Sequence, residues 1–174
     1  MNSKNQINIF IVEDNKVFQL ALKADIETAF AKMPIKIHSF ETGESCMKKY
    51  AEDKPQVVIL DYNLNSINPD AMNGIKVLDL IKKESHDTNV IMLTSEDNID
   101  IALKSFKHGA SDYVVKTETK FRKINFSLFN LFKMMEAKKD AKRYKYMAVG
   151  FLVCVTLLVG GVIVVEMLNP SLLK

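Results

Sequence analysis

Cysteine is scarce in this chain: only Cys46 and Cys154 occur in 174 residues. A bridge between them is not expected, because Cys154 lies inside a long apolar segment near the C-terminus. No C-x-x-C pair exists, which excludes the usual thiolate metal sites. A reducing compartment is the default for so few cysteines. The N-terminus, MNSKNQINIF, has no apolar segment of signal-peptide length, so export of the first domain is not expected. Excess charge is also lacking. The formal net charge is only +3, too weak to argue for a nucleic-acid partner. No internal repeat or low-complexity linker is visible.

What is present fits a folded domain with appendages. Apolar residues make up 48% and charged residues 26%, enough for a core. From Ile7 to Lys116 short apolar runs alternate with longer mixed segments. The runs are 7–12, 35–40, 57–60, 90–93 and 113–115. Four are nearly continuous in apolar residues, as strands buried on both faces of a parallel sheet are. The run 35–40, IKIHSF, alternates instead and predicts a half-covered edge strand. The segments between read as helices: Asn15 to Met33 ended by Pro34, Thr42 to Tyr50, Asn73-Gly74 to Lys83, Ile99 to Lys107 ended by Gly109, and Phe121 to about Ala137. This order predicts an α/β fold with a doubly wound, five-stranded parallel sheet.

In such a sheet, ligands bind beyond the carboxyl ends of the strands. Glu13 and Asp14 follow the first run, Asp61 the third, Thr94 and Ser95 the fourth, and Lys116 the fifth. Three carboxylates, a hydroxyl and an ammonium are thus expected on one patch. Clustered carboxylates repel one another unless a cation neutralises them. The donors are all oxygen, and Mg²⁺ fits because it needs few protein ligands. A carboxylate beside Mg²⁺ can attack phosphorus, with positive donors for the phosphoryl oxygens. Taken singly, each residue has a plainer reading. Asp14 reads as a solvated or capping acid, Thr94 as a helix cap, Lys116 as a surface lysine and Tyr113 as core.

Together these motifs, with Gly109-Ala110 before the fifth run and Asp112 to Lys116 along it, resemble the receiver domain of two-component response regulators. The resemblance covers Ile7 to about Met135 and implies a flavodoxin-like sheet of order 2-1-3-4-5. It implies a phosphoacceptor signalling domain rather than a conventional enzyme. Asp61 would accept phosphate from a sensor histidine kinase or phosphotransfer protein. Glu13, Asp14, Asp61 and the Asn63 backbone carbonyl would hold Mg²⁺. Thr94 and Lys116 would grip the phosphoryl group, and Tyr113 would be the switch aromatic that follows Thr94. A hydrolase using aspartyl phosphate fits poorly, since the first run ends Glu-Asp and Asp61 is followed by Tyr62-Asn63. The alternative of a different class is an unphosphorylated receiver-fold scaffold that docks a partner at a membrane.

Two departures from the family pattern stand out. The stretch from Asp61 to Gly74 is longer by roughly five residues and carries Pro69; it reads as a lid, a kinase-specificity element or a tolerated surface insertion. Thr117 follows Lys116 where the family usually has proline, which leaves the geometry of that peptide bond open.

The C-terminal part reads differently. Residues 147–165 carry no charge, long enough with 166–168 to cross a hydrocarbon core of about 30 Å. Just before them lie Lys133, Lys138, Lys139, Lys142, Arg143 and Lys145 against Glu136 and Asp140. That band predicts a cytoplasmic flank and contact with anionic membrane lipid. The expected organisation is a receiver domain over 1–136, a basic linker over 137–146, a transmembrane helix over 147–168 and a short tail over 169–174. The expected location is the inner (cytoplasmic) membrane, with a single-pass C-terminal anchor and the receiver in the cytoplasm. With little sequence after Ala137 for an output domain, output is expected to pass through an unidentified output protein. Phe126 and Phe129 fall outside the apolar stripe of the last helix, and read either as partly exposed side chains or as a homodimer face.

Overall fold

The computed structural model describes residues 6–64 and 71–168, with side chains at 162 and 165–168 excepted. Pro69 of the long loop, Lys174 and the tail over 169–174 lie outside the described residues. By contacts the chain divides into two compact units, 1–129 and 130–174.

In the first unit the elements alternate as β1 (Ile7–Val12), α1 (Lys16–Ala29), β2 (Ile35–Phe40), α2 (Gly43–Asp53), β3 (Val57–Asp61), α3 (Gly74–Glu84), β4 (Asn89–Thr94), α4 (Ile99–Lys107) and β5 (Asp112–Val115). The helix α5 begins at Lys120 and is continuous to Leu168. All strand pairs are parallel and the sheet order is β2-β1-β3-β4-β5. The doubly wound, flavodoxin-like order expected from the sequence is therefore the observed one. The central β3 is buried at every residue, while β2 at the edge has no fully buried position, as its alternating sequence predicts.

Local chemistry sets the helix ends. Asn15, Thr42, Asn73 and Asn98 cap α1 to α4, each side chain accepting from a backbone N–H in the first turn. Helix α1 stops at Ala29, four residues before Met33. The Phe30 N–H bonds to the Ile26 carbonyl and the Met33 N–H to the Phe30 carbonyl. That turn is needed because Pro34 bars Met33 from helical geometry. Gly109 ends α4 at φ +94°, where a Cβ is disfavoured.

Strand alternation divides the core into two faces. One face gathers Phe10, Val12, Val58, Leu60, Val90 and Met92 under α2 and α3, together with Cys46, Tyr50 and Leu78. The other carries Ile9, Ile11, Ile59, Ile91 and Leu93, all buried. Leu22 and Ile26 of α1 and Ile124 and Leu128 of α5 are fully buried as well, and Asn125 donates to Asp25 at 2.7 Å to tie α5 to α1. Phe126 and Phe129 are exposed, 66% and 46%.

The second unit is helical throughout its described residues. The candidate membrane span runs over Lys120–Gly161, and none of its apolar window is buried. Phe151, Leu157 and Leu158 are each about 70% exposed or more. Among the described residues, one helix is thus long and apolar enough to cross a membrane.

Burial also pushes the Cys46 thiol up to about 12. In a Cys154→Ser background, Cys46 should resist maleimide at pH 8 in the native chain and react promptly in urea. Rapid native labelling would contradict this packing.

Candidate functional site

Parallel strands bring their carboxyl ends to one edge of the sheet, and the expected residues meet there. Glu13 and Asp61 are 1% and 3% exposed, and Thr94 is fully buried. Ligand oxygens of Glu13, Asp14 and Asp61 lie within 4.8 Å of one another. Lys116 Nζ stands 2.7 Å from Glu13 Oε2 and 2.9 Å from Asp61 Oδ2. Its backbone N–H bonds to the Thr94 carbonyl at 2.7 Å, which docks the end of β5 beside the end of β4. No cis peptide bond occurs among the described residues, so Lys116–Thr117 is trans.

The electrostatics follow from this crowding. Burial, and then the charge of Asp61, push the Glu13 carboxyl up to about 7, against the pull of Lys116. Burial pulls the Lys116 ammonium down, but Asp61 and Glu13 more than offset it, and its pKa stands above the ordinary lysine value. One ammonium faces three carboxylates, so the site carries an acid surplus. Asp61 Oδ1 is buried and has no hydrogen-bond partner among the described residues. An orphaned carboxylate oxygen in an all-oxygen cluster fits a hard divalent cation, and Mg²⁺ in particular. Glu13, Asp14 and Asp61 are the groups able to hold it, with the Asn63 backbone carbonyl two residues beyond Asp61.

Thr94 and Tyr113 are linked through the loop after β4. Thr94 Oγ1 accepts from the Glu96 N–H at 3.1 Å, and the Tyr113 hydroxyl donates to the Glu96 carbonyl at 3.0 Å. Burial raises the Tyr113 phenol, and hydrogen bonding by Thr94 works against that shift. Ser95 is exposed at the rim.

The sequence profile of the response regulator receiver domain matches residues 9–125. The chain belongs to the response regulator receiver family. The receiver is 29% identical to the regulatory protein AtoC of Escherichia coli (strain K12) over 116 residues, 67% of this chain and 23% of that protein. It thus spans under a quarter of AtoC's length. Among solved structures it resembles DrrB, a Thermotoga maritima OmpR/PhoB homologue, with TM-score 0.60 and 25% identity, covering 75% of this chain and 54% of that one. A CheY-like receiver domain protein of Methanospirillum hungatei shares the fold at TM-score 0.63 and 19% identity, over 76% of this chain and 98% of that one.

Several residues at this receiver's site were not foreseen from sequence. Gln19 is buried, and its Nε2 donates to the carbonyls of Glu13 and Phe40, fixing the backbone that carries the first acid. Phe18 lies under Lys116, its ring centroid 5.0 Å from Nζ. No local signal marked it, because Asp14 precedes the Asn15 cap of α1 and Lys116 lies 98 residues after Phe18. Glu44 accepts from the Met72 N–H at 2.8 Å and so anchors the far end of the long loop; that bond also lowers the Glu44 pKa.

Gly74 closes the same loop. Its N–H bonds to the Tyr62 carbonyl at 3.0 Å, and a Cβ there would lie 2.2 Å from the Asp61 carbonyl oxygen and 2.8 Å from Tyr62 Cα. Backbone cannot yield as a flexible side chain does, so Gly74→Ala must displace the Asp61–Tyr62 segment. It should cost about 1–3 kcal/mol in urea unfolding and weaken Mg²⁺ binding measured by calorimetry. Unchanged values for both would contradict the close approach.

Proposed function

We propose that this receiver accepts a phosphoryl group on Asp61 from a phosphohistidine donor, in the presence of Mg²⁺ held by Glu13, Asp14 and Asp61. The observation that carries the reading is the state of Asp61: one buried oxygen is paired with Lys116 and the other is without a hydrogen-bond partner among the described residues. An Asp61 oxygen attacks phosphorus, the P–O bond forms as the P–N bond breaks, and the imidazole nitrogen leaves with the bonding pair. Bound Mg²⁺ supplies the positive charge that offsets the acid surplus and the developing charge on the phosphoryl oxygens. Lys116 moves its ammonium from the Asp61 carboxylate onto a phosphoryl oxygen. The Thr94 oxygen accepts from the Glu96 N–H, and its hydroxyl turns from Tyr113 to the phosphoryl group. Ser95 is small and exposed, so the donor can enter. A shift of Thr94 toward phosphate alters the contacts around Glu96 that hold the Tyr113 hydroxyl, and output passes from there through protein contacts.

We infer further that the segment 147–168 spans the inner membrane and keeps the receiver cytoplasmic. Support comes from the uncharged run 147–165, the unburied apolar window and the basic residues before it. Those basic residues suit anionic lipid headgroups at the cytoplasmic leaflet.

Incubation with acetyl phosphate and Mg²⁺ should add one phosphate to the intact mass. Chelation of Mg²⁺ or Asp61→Asn should abolish the addition. Equal phosphorylation of wild type and Asp61→Asn would contradict the assignment. In cells, the full chain should stay with membranes through an alkaline carbonate wash, whereas a chain stopped after residue 146 should be released. Identical behaviour of the two would contradict the anchor.

A further inference from the structure

The Lys116 ammonium has a third neighbour besides its two acids. The Phe18 ring lies beneath it, with the centroid 5.0 Å from Nζ, within cation–π range. Phe18 does not float there. Its N–H is held at 3.0 Å by the Asn15 side chain that caps α1, and the Asn15 N–H in turn faces Glu13 Oε1 at 3.4 Å. The ring packs against Phe121 at the start of α5, centroid to centroid 5.6 Å and tilted by 34°. Lys120 Nζ approaches both rings, at 5.8 Å and 5.5 Å. Two rings from two helices therefore make a half-buried shelf at the mouth of the site.

Lysine has a long, flexible stem and a point charge. Two carboxylates fix the ammonium by attraction, but that attraction changes the moment one of them takes up a cation or a phosphoryl group. A π face does not change its charge during the reaction. It offers the ammonium a favourable place that persists while its oxygen partners are exchanged. Thr117, in a trans linkage after Lys116, adds no ring of its own to stiffen the chain there.

We propose that Phe18, backed by Phe121, is a positioning residue for Lys116: its ring keeps the ammonium over the phosphoryl site while Asp61 changes from carboxylate to acyl phosphate. This rests on the reading of Asp61 as phosphoacceptor. Phe18 touches neither phosphate nor metal; it acts through Lys116.

The experiment uses the full chain in detergent micelles, with phosphoramidate and acetyl phosphate as donors and Mg²⁺ affinity measured separately by calorimetry. Phe18→Leu keeps an apolar side chain and removes the π face. Asp61 phosphorylation should slow by about threefold to tenfold, with Mg²⁺ affinity and melting temperature close to wild type. Phe18→Tyr keeps the face and should restore the rate. A spectroscopic readout separates positioning from packing. The ε-methylene protons of Lys116 should show an upfield ring-current shift in wild type and Phe18→Tyr, lost in Phe18→Leu. Two results would overturn the proposal: a wild-type rate in Phe18→Leu, or Lys116 proton shifts that do not respond to removal of the ring. Absence of transfer to the wild-type chain from either donor would overturn the phosphoacceptor reading instead. The ring shift tells these failures apart, because it requires no phosphate.

Discussion

The ion pairs of Lys116 with Glu13 and Asp61 govern the whole carboxyl edge of the sheet. Two carboxylates this deeply buried do not both stay ionised side by side without a counter-charge. The sheet order explains why that charge is a lysine. Glu13 follows β1 and Asp61 ends the neighbouring strand β3, but Lys116 follows β5, two strands from β3. Neighbouring strands are about 4.8 Å apart, so the ammonium must reach over the end of β4. A four-carbon stem with a compact head can do this, and it needs small residues in its path, which Thr94 and Ser95 are. The backbone bond from Lys116 to the Thr94 carbonyl sets the starting point of that reach. Shifting β5 by one residue would turn Lys116 to the other face of the sheet.

The same geometry leaves the site unfinished. One ammonium does not balance three carboxylates, and Asp61 keeps an oxygen without a hydrogen-bond partner among the described residues. Folding alone would favour removing such a group, since a buried unpaired polar atom is costly. The proposed divalent cation would give that oxygen its partner. The raised Glu13 pKa belongs to the same account: burial first, and then the charge of Asp61, make its carboxyl hold a proton more tightly.

Much of this could be read from the chain before its structure was known. The continuous apolar runs gave the buried strands, the alternating IKIHSF gave the edge strand, and the residues just beyond the strand ends gave the acids and Lys116. These signals are local and one-dimensional, so sequence carries them well. The supporting contacts are not of that kind. Phe18 under Lys116, Gln19 against Phe40 and Glu44 against Met72 join segments distant in sequence, and nothing at either end alone announces the partner. The need for glycine at position 74 is of the same sort, because it arises from the backbone of Asp61 rather than from the Asn73-Gly74 turn. Helix α1 ended before Met33 because the turn ahead of Pro34 takes four residues that helix propensity alone would have kept. The apolar segment after residue 146 was legible by composition, and the structure adds that its apolar window is not covered by protein.

The chemistry attributed to Asp61 can be read at a single residue. An acyl phosphate is cleaved reductively by borohydride, which leaves homoserine where the aspartate stood. The full chain is exposed to a phosphohistidine or small-molecule donor with Mg²⁺, reduced, digested and sequenced by mass spectrometry. The account predicts homoserine at position 61, dependent on Mg²⁺ and absent in Lys116→Ala. Reduction at Glu13 or Asp14, or the same yield at Asp61 without Mg²⁺, would contradict it.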